Sequence, residues 1–227
     1  MNLTTLQNLM NGLAQVALAR LPFDAETTAL TSAVERYSVD RPKSVWVALT
    51  LTDGGAALPE AFIADFSTLQ AVEYPVGNRP PTLLTTEEFY VTSDALPYRV
   101  ELLVGSATDA IRVQFSIKHV ATADAYTIPA QHTEAVAAWA AAVLCEMEAS
   151  RLSNNATPTI QADVTDQANP ARAFATRAKT LRQRYFDELG IDPKRNGAAG
   201  VDIAFARRDS TGRPLLTHPL RGVNRGH

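Results

Sequence analysis

The spacing of apolar residues changes period twice along this chain, and that switch constrains its fold more than any other feature. In residues 3–18, Leu3, Leu6, Met10, Leu13 and Ala17 recur at three- and four-residue steps, which places them on one face of a helix. The spacing predicts a helix over 3–20, stopped by Leu21-Pro22. Asp24 offers an N-cap for a second helix over 25–37, with Leu30, Val34 and Tyr37 on one face. Asp40-Arg41-Pro42 ends it, because the residue before a proline is pushed out of the helical region. From residue 45 to 117 the period becomes two. Val45, Val47, Leu49 and Leu51 alternate up to the turn Asp53-Gly54-Gly55, a strand followed by a hairpin signal. Further strands are expected at Leu69–Tyr74, Phe89–Thr92, Tyr98–Leu103 and Ile111–Ile117. They are separated by turn formers such as Gly77-Asn78-Arg79-Pro80-Pro81 and Ser93-Asp94. Short strands joined by short turns favour an antiparallel sheet.

After Ile128-Pro129 the helical period returns. A helix over 130–151 carries the stripe Val136, Ala140, Val143, Leu144 and Met147, with Trp139 beside it, and its six alanines between Ala135 and Ala142 admit close approach of another helix. A final helix over 170–189 starts on Asn169-Pro170, a capping residue and a proline in the first turn. It continues through Phe174, Ala178, Leu181, Tyr185 and Leu189, and stops at Gly190. The expected fold class is therefore α+β: an N-terminal helical pair, an inserted antiparallel β-sheet over 45–117, a C-terminal long helical hairpin, and an extended C-terminal arm. A domain over 1–190 and a basic arm over 191–227 suit a 227-residue chain with 46% apolar residues.

The charge divides at the same place. Residues 191–227 hold seven Lys or Arg against three Asp, a net +4, so the preceding 190 residues carry −7 of the overall −3. Within the arm, Val201, Ile203 and Phe205 alternate with Asp202 and Ala204, the pattern of a strand that adds to an exposed sheet edge. Arg207, Arg208 and Arg213 beyond it are placed to meet acidic groups on a partner. The longest apolar run, Ala135–Cys145, is eleven residues, too short to span a bilayer. No membrane partner is expected, and with an N-terminus lacking a basic start the reading is of a protein soluble and intracellular when made.

Motifs that carry chemistry are missing from the sequence. It has no phosphate loop, no dinucleotide fingerprint and no nucleophile elbow. His132-Thr133-Glu134 is similar to a deaminase zinc motif, but a single cysteine cannot supply its partner half. His119, His132, His218 and His227 lack ligand spacing and read as surface or capping residues. Cys145 sits in an apolar helical stripe and reads as a buried, inert thiol. Glu87 and Glu88, read as neighbours in a strand, point to opposite faces and do not converge. Neither enzymatic activity nor a cofactor or metal is expected.

The order of several segments resembles a family of head–tail adaptor, or connector, proteins of long-tailed bacteriophages. They are Tyr37-Ser38-Val39-Asp40-Arg41-Pro42, Leu58-Pro59 with Asp65-Phe66-Ser67, and Val72-Glu73-Tyr74-Pro75 with Pro80-Pro81. Ile117-Lys118-His119, Thr127-Ile128-Pro129, and Arg177-Ala178-Lys179 with Arg182-Gln183-Arg184-Tyr185-Phe186 follow. The resemblance covers about residues 25–190 and leaves the arm unmatched. It implies a structural virion protein at the head–tail interface, assembled in the bacterial host cytoplasm. The implied assembly is a ring, commonly twelvefold, of copies of this chain between the portal protein and a downstream neck or tail protein, with genomic DNA passing through the lumen. An acidic body suits such a channel, since many Lys or Arg side chains would grip phosphates. A basic helix over 170–190 facing the DNA is the opposite arrangement. Another neck protein, such as a head-completion or tail-terminator subunit, is the alternative assignment. A nucleic-acid-binding protein using its basic tail is a third, although no aromatic residue is interleaved with the arginines after Phe205.

Overall fold

Helices at both ends of a strand-rich middle are what the two periods build. The structure, a computed structural model, describes residues 2–92, 97–103, 109–154 and 170–193. The first helix, α1 (Leu3–Ala14), is capped by Asn2, whose side chain accepts the Thr5 N–H. It ends six residues earlier than the spacing predicts. Gln15 turns left-handed at φ 50°, its N–H returns to the Asn11 carbonyl, and a 3₁₀ turn at Leu18–Arg20 follows. The bend leaves Ala17 exposed and lets Leu21 reach the core, which a continued helix would prevent. The next helix, α2 (Ala25–Asp40), starts where expected, but the Asp24 side chain makes no capping bond. It runs three residues beyond the predicted end at 37, up to Arg41, the residue that Pro42 restricts.

The β-rich insert is antiparallel throughout but forms two three-stranded sheets rather than one. Strands β1 (Lys43–Thr50), β6 (Ala110–Ile117) and β3 (Leu69–Glu73) make the first, in the order β1-β6-β3. Strands β2 (Gly55–Ala57), β5 (Arg99–Leu102) and β4 (Phe89–Thr92) make the second, in the order β2-β5-β4. The turn Asp53-Gly54 passes the chain from one sheet to the other. Both residues have positive φ, 54° and 84°, and Thr52 and Gly55 exchange backbone hydrogen bonds, the geometry of a tight hairpin. The sheets share a core of Leu51, Ala56, Leu58, Val72, Val100, Ile111, Val113 and Phe115.

The C-terminal helices are α3 (Thr133–Asn154), entered by a 3₁₀ turn at Ala130–His132, and α4 (Pro170–Leu189). They run antiparallel, because Glu146 pairs with Arg182 while Trp139 packs on Tyr185 and Phe186. Gly190 at φ 63° ends α4: its N–H bonds the Asp187 carbonyl and the Ile191 N–H bonds that of Phe186. Asn169, the expected cap of α4, lies outside the described residues. The expected stripe on α3 understates its burial. All six alanines from Ala135 to Ala142 are 0% exposed, so α1, α2 and α4 cover this part of the helix everywhere except the half-buried stripe of Trp139 and Val143. Small side chains allow three neighbours to approach one axis closely. All described elements belong to one unit, Met1–Ile191.

Because Ala141 is fully buried among fully buried alanines, Ala141→Leu inserts volume where no outward displacement is open. It should destabilise the fold by about 1–3 kcal/mol, seen as a lowered melting temperature. An unchanged melting temperature would contradict the close packing of α3 around Ala141.

Candidate functional site

The residues predicted to dock a partner, Val201, Ile203, Phe205, Arg207, Arg208 and Arg213, all lie outside the described residues. What the structure brings together are segments far apart in sequence, at the place where the helical core meets the sheet. The C-terminal turn of α2 supplies most of the groups. Its Asp40 carboxylate accepts two hydrogen bonds from Arg36, at 2.8 and 2.9 Å, and a third from the Tyr185 hydroxyl of α4 at 2.6 Å. Burial, reinforced by this bond to Asp40, pushes the Tyr185 hydroxyl far above its usual range. One residue on, the Arg41 guanidinium donates to the Leu189 carbonyl at 2.8 Å, one of the otherwise unpaired carbonyls at the end of α4.

The strand-to-helix connection docks beside it. His119 is buried, and its backbone N–H donates to Ser38 Oγ at 2.9 Å, while Ser38 donates onward to the Val34 carbonyl. Its Nε2 lies 3.0 Å from the Arg41 carbonyl, and its Nδ1 lies 3.1 Å from both the carbonyl and the hydroxyl of Thr127. A carbonyl therefore faces each ring nitrogen, and the Thr127 hydroxyl can donate to Nδ1 when that atom is bare. The Tyr37 ring covers the His119 ring at 4.8 Å between centroids, and its hydroxyl meets His132 Nδ1 at 2.6 Å. Burial lowers both imidazole pKa values and raises that of Tyr37. This cluster corrects the reading of His119 as a surface or capping residue. Its neighbours satisfy both ring nitrogens, so the group acts as a fixed hydrogen-bonding strut. Glu88 also departs from expectation. It precedes β4 in a turn, where its carboxylate accepts from the Thr85 N–H and hydroxyl, and both bonds hold it below the usual carboxylate range. Cys145 is buried, with its thiol pushed up to about 11 by desolvation.

Three surface features remain for a partner. The first is a groove of about 410 Å³ between α1, α2 and residues 118–122, with Leu3, Leu30, Val34 and Ala121 in its wall. The second is Phe23, fully exposed between α1 and α2. The third is the outer edge of β1, whose alternate residues Ser44, Trp46, Ala48 and Thr50 face solvent. Trp46 lies under the Arg112 guanidinium at 5.2 Å. Two of the basic residues of α4 are paired with carboxylates, Arg182 with Glu146 and Arg184 with Glu134 and Glu188, while Arg177 donates to the neutral Gln15 side chain. Among the described residues no three His, Cys, Asp or Glu side chains are grouped to hold a metal ion, and no helix is long and apolar enough to cross a membrane.

No family model and no curated protein matches this sequence. The geometry therefore stands on its own, and it describes a joint. Sequence spacing gave no warning of it, because Asp40 and Tyr185 lie 145 positions apart. The available signal was the coincidence of polar residues with the ends of the apolar periods, at Ser38, Asp40 and His119.

The joint has a pH signature. Burial holds His119 and His132 below the 6.5 of a free imidazole, so below that pH the unfolded chain binds protons that the folded chain does not. Stability is therefore greatest above pH 6.5 and falls as the pH drops beneath it. Urea midpoints should decline between about pH 7 and about pH 5, and His119→Gln should flatten that decline. An equal slope in the variant would show that His119 is not one of the groups responsible.

Proposed function

We propose that this chain is a head–tail adaptor of a long-tailed phage, a subunit of a ring seated between the portal protein and a downstream neck or tail protein. The observation that supports this most is convergence. Of the segments whose order resembles that family, Tyr37–Pro42, Ile117–His119, Thr127–Pro129 and Tyr185-Phe186 contribute to one joint between helices and sheet, where their polar atoms bond one another. A scaffold that transmits load between the head and the tail requires its layers held at a fixed relation, and this joint does that. The reading involves no catalytic step.

Electrostatics fit the same role. DNA passing through a ring must slide, and a lumen lined by unpaired cations would hold it through its phosphates. Pairing of Arg182 and Arg184 with carboxylates offsets part of the positive charge of α4, and the −7 of residues 1–190 makes an acidic surface the better channel wall. The +4 arm then serves protein contacts, in the virion neck, in a ring built in the host cytoplasm. Copies of the chain should associate weakly alone and close into a ring on the portal, which supplies the template.

Sedimentation of a mixture with the cognate portal at micromolar concentration should give one large species, and two separate boundaries would overturn the proposal. Truncation after Gly190 should leave the circular dichroism of the folded domain intact while ring formation on the portal falls sharply. Arg207→Ala with Arg208→Ala should cost less, about 0.2–1 kcal/mol per exposed pair, and the cost should shrink at high salt.

A further inference from the structure

We infer that the outer edge of β1 is a docking strand whose occupant is the Val201–Phe205 segment of a second copy of this chain, added parallel to β1. The inference deepens the ring reading above, and rests on it for the closure of many such contacts into one assembly.

The four sheet edges are not equivalent. β3 is irregular, with a register shift in its pairing to β6 between Leu69 and Ala71, and residues 82–84 run along its outer edge: Tyr74 N–H bonds the Thr82 carbonyl, and Leu84 N–H bonds that of Val72. The β2 and β4 edges are only three and four residues long. By contrast, β1 offers eight residues paired to β6 in unbroken register, with no proline and no bulge, and among the described residues nothing pairs with its outer side. A long straight edge of this kind is a template for another strand.

Its apolar row is also unfinished. Phe115, Val113 and Ile111 of β6 are 0% exposed, yet Val45, Val47 and Leu49, directly opposite them, remain partly exposed. One more strand with apolar side chains at three alternate positions would complete the row. Val201, Ile203 and Phe205 have that spacing, with Asp202 and Ala204 left for the solvent face.

The charges closest to the donor segment favour one direction. Antiparallel addition with Phe205 level with Val45 sets Arg207 against Lys43, a like-charge pair. Parallel addition with Val201 level with Val45 avoids that pair and carries Arg207 and Arg208 toward the Asp53 end of β1, two arginines against the single Asp209 that follows them. The Asp53 side chain is exposed there and has no hydrogen bond or ion pair among the described residues. A donor segment and an acceptor edge on different parts of one chain make a head-to-tail contact, the kind that closes into a ring when the rotation permits.

In the parallel register Ala48 and Ala204 are neighbours on the solvent face. Two full-length chains with different tags, one Ala48→Cys and the other Ala204→Cys, are mixed without portal and oxidised; the buried Cys145 does not compete. The expected product is a disulfide-linked heterodimer, formed in higher yield than with Trp46→Cys in place of Ala48→Cys. A chain carrying both Ala48→Cys and Ala204→Cys should give a ladder of multimers. Asp53→Asn, which keeps a residue that tolerates the turn, should lower the yield about two- to fivefold. No crosslink, a monomeric internal loop alone, or preference for the Trp46→Cys partner would each overturn the inference. Portal binding without the interchain crosslink would sink this contact and leave the ring reading standing, and the crosslink without portal binding would do the reverse.

Discussion

The Asp40 carboxylate is the group on which the architecture turns. It sits at the last residue of α2, where the chain leaves the helices for β1, and it receives Arg36 from its own helix and Tyr185 from α4. The following residue caps the end of α4 through its side chain and holds His119 through its carbonyl. Two successive residues therefore fix α2, α4 and the strand-to-helix connection to one another. Buried polar groups are stabilising only when satisfied, and here each has a partner. Removing Asp40 would strand a phenol and a guanidinium together, so the joint is cooperative by construction.

Two apolar cores lie on either side of that joint. The helical one is organised by α3, whose alanines let three helices surround it, and the other lies between two small sheets. Small residues limit how much each position of α3 buries, but they bring backbones close and leave no room for rearrangement. Aromatic packing finishes the helical side: Trp139 meets Tyr185 at 4.9 Å and Phe186 at 5.8 Å, with Arg36 and Arg182 over its ring. Close packing in both cores is what the proposed role, a part holding its shape within an assembly, requires.

Local periodicity made much of this readable. The alternation of Val45, Val47 and Leu49 and the run Ile111–Ile117 located the two long strands, and Phe89–Thr92 was found to the residue. Gly55-Ala56-Ala57 has no alternation of large apolar residues, so β2 left no trace, and with it the division into two sheets was invisible. The stop at Ala14 was hidden because Ala17 continued the apolar spacing of a helix that tertiary packing then bent. The α3 stripe found Val136, Ala140 and Leu144 in the core, while Val143 and Met147 are half-buried, since the apolar run from Ala135 to Cys145 has no polar residue to single out a face. As for the site, the sequence offered the arm, Val201 to Arg213, and the polar residues of the joint only as unconnected motifs. Long-range pairs such as Asp40 with Tyr185 or Ser38 with His119 have no period to betray them.

A joint that locks helices to sheet, an acidic body, two α4 arginines paired with carboxylates, and a long strand edge with no partner among the described residues form a coherent set for the proposed part, one that works by position. The central claim is that many copies stand side by side on a portal. Electron cryomicroscopy of the full-length protein mixed with its isolated portal tests it most directly. The account predicts a closed ring of this chain on the portal, coaxial with its channel, with additional strand density along β1 of each subunit. Portal particles bare of added density, or decorated at scattered positions without a ring, would contradict it.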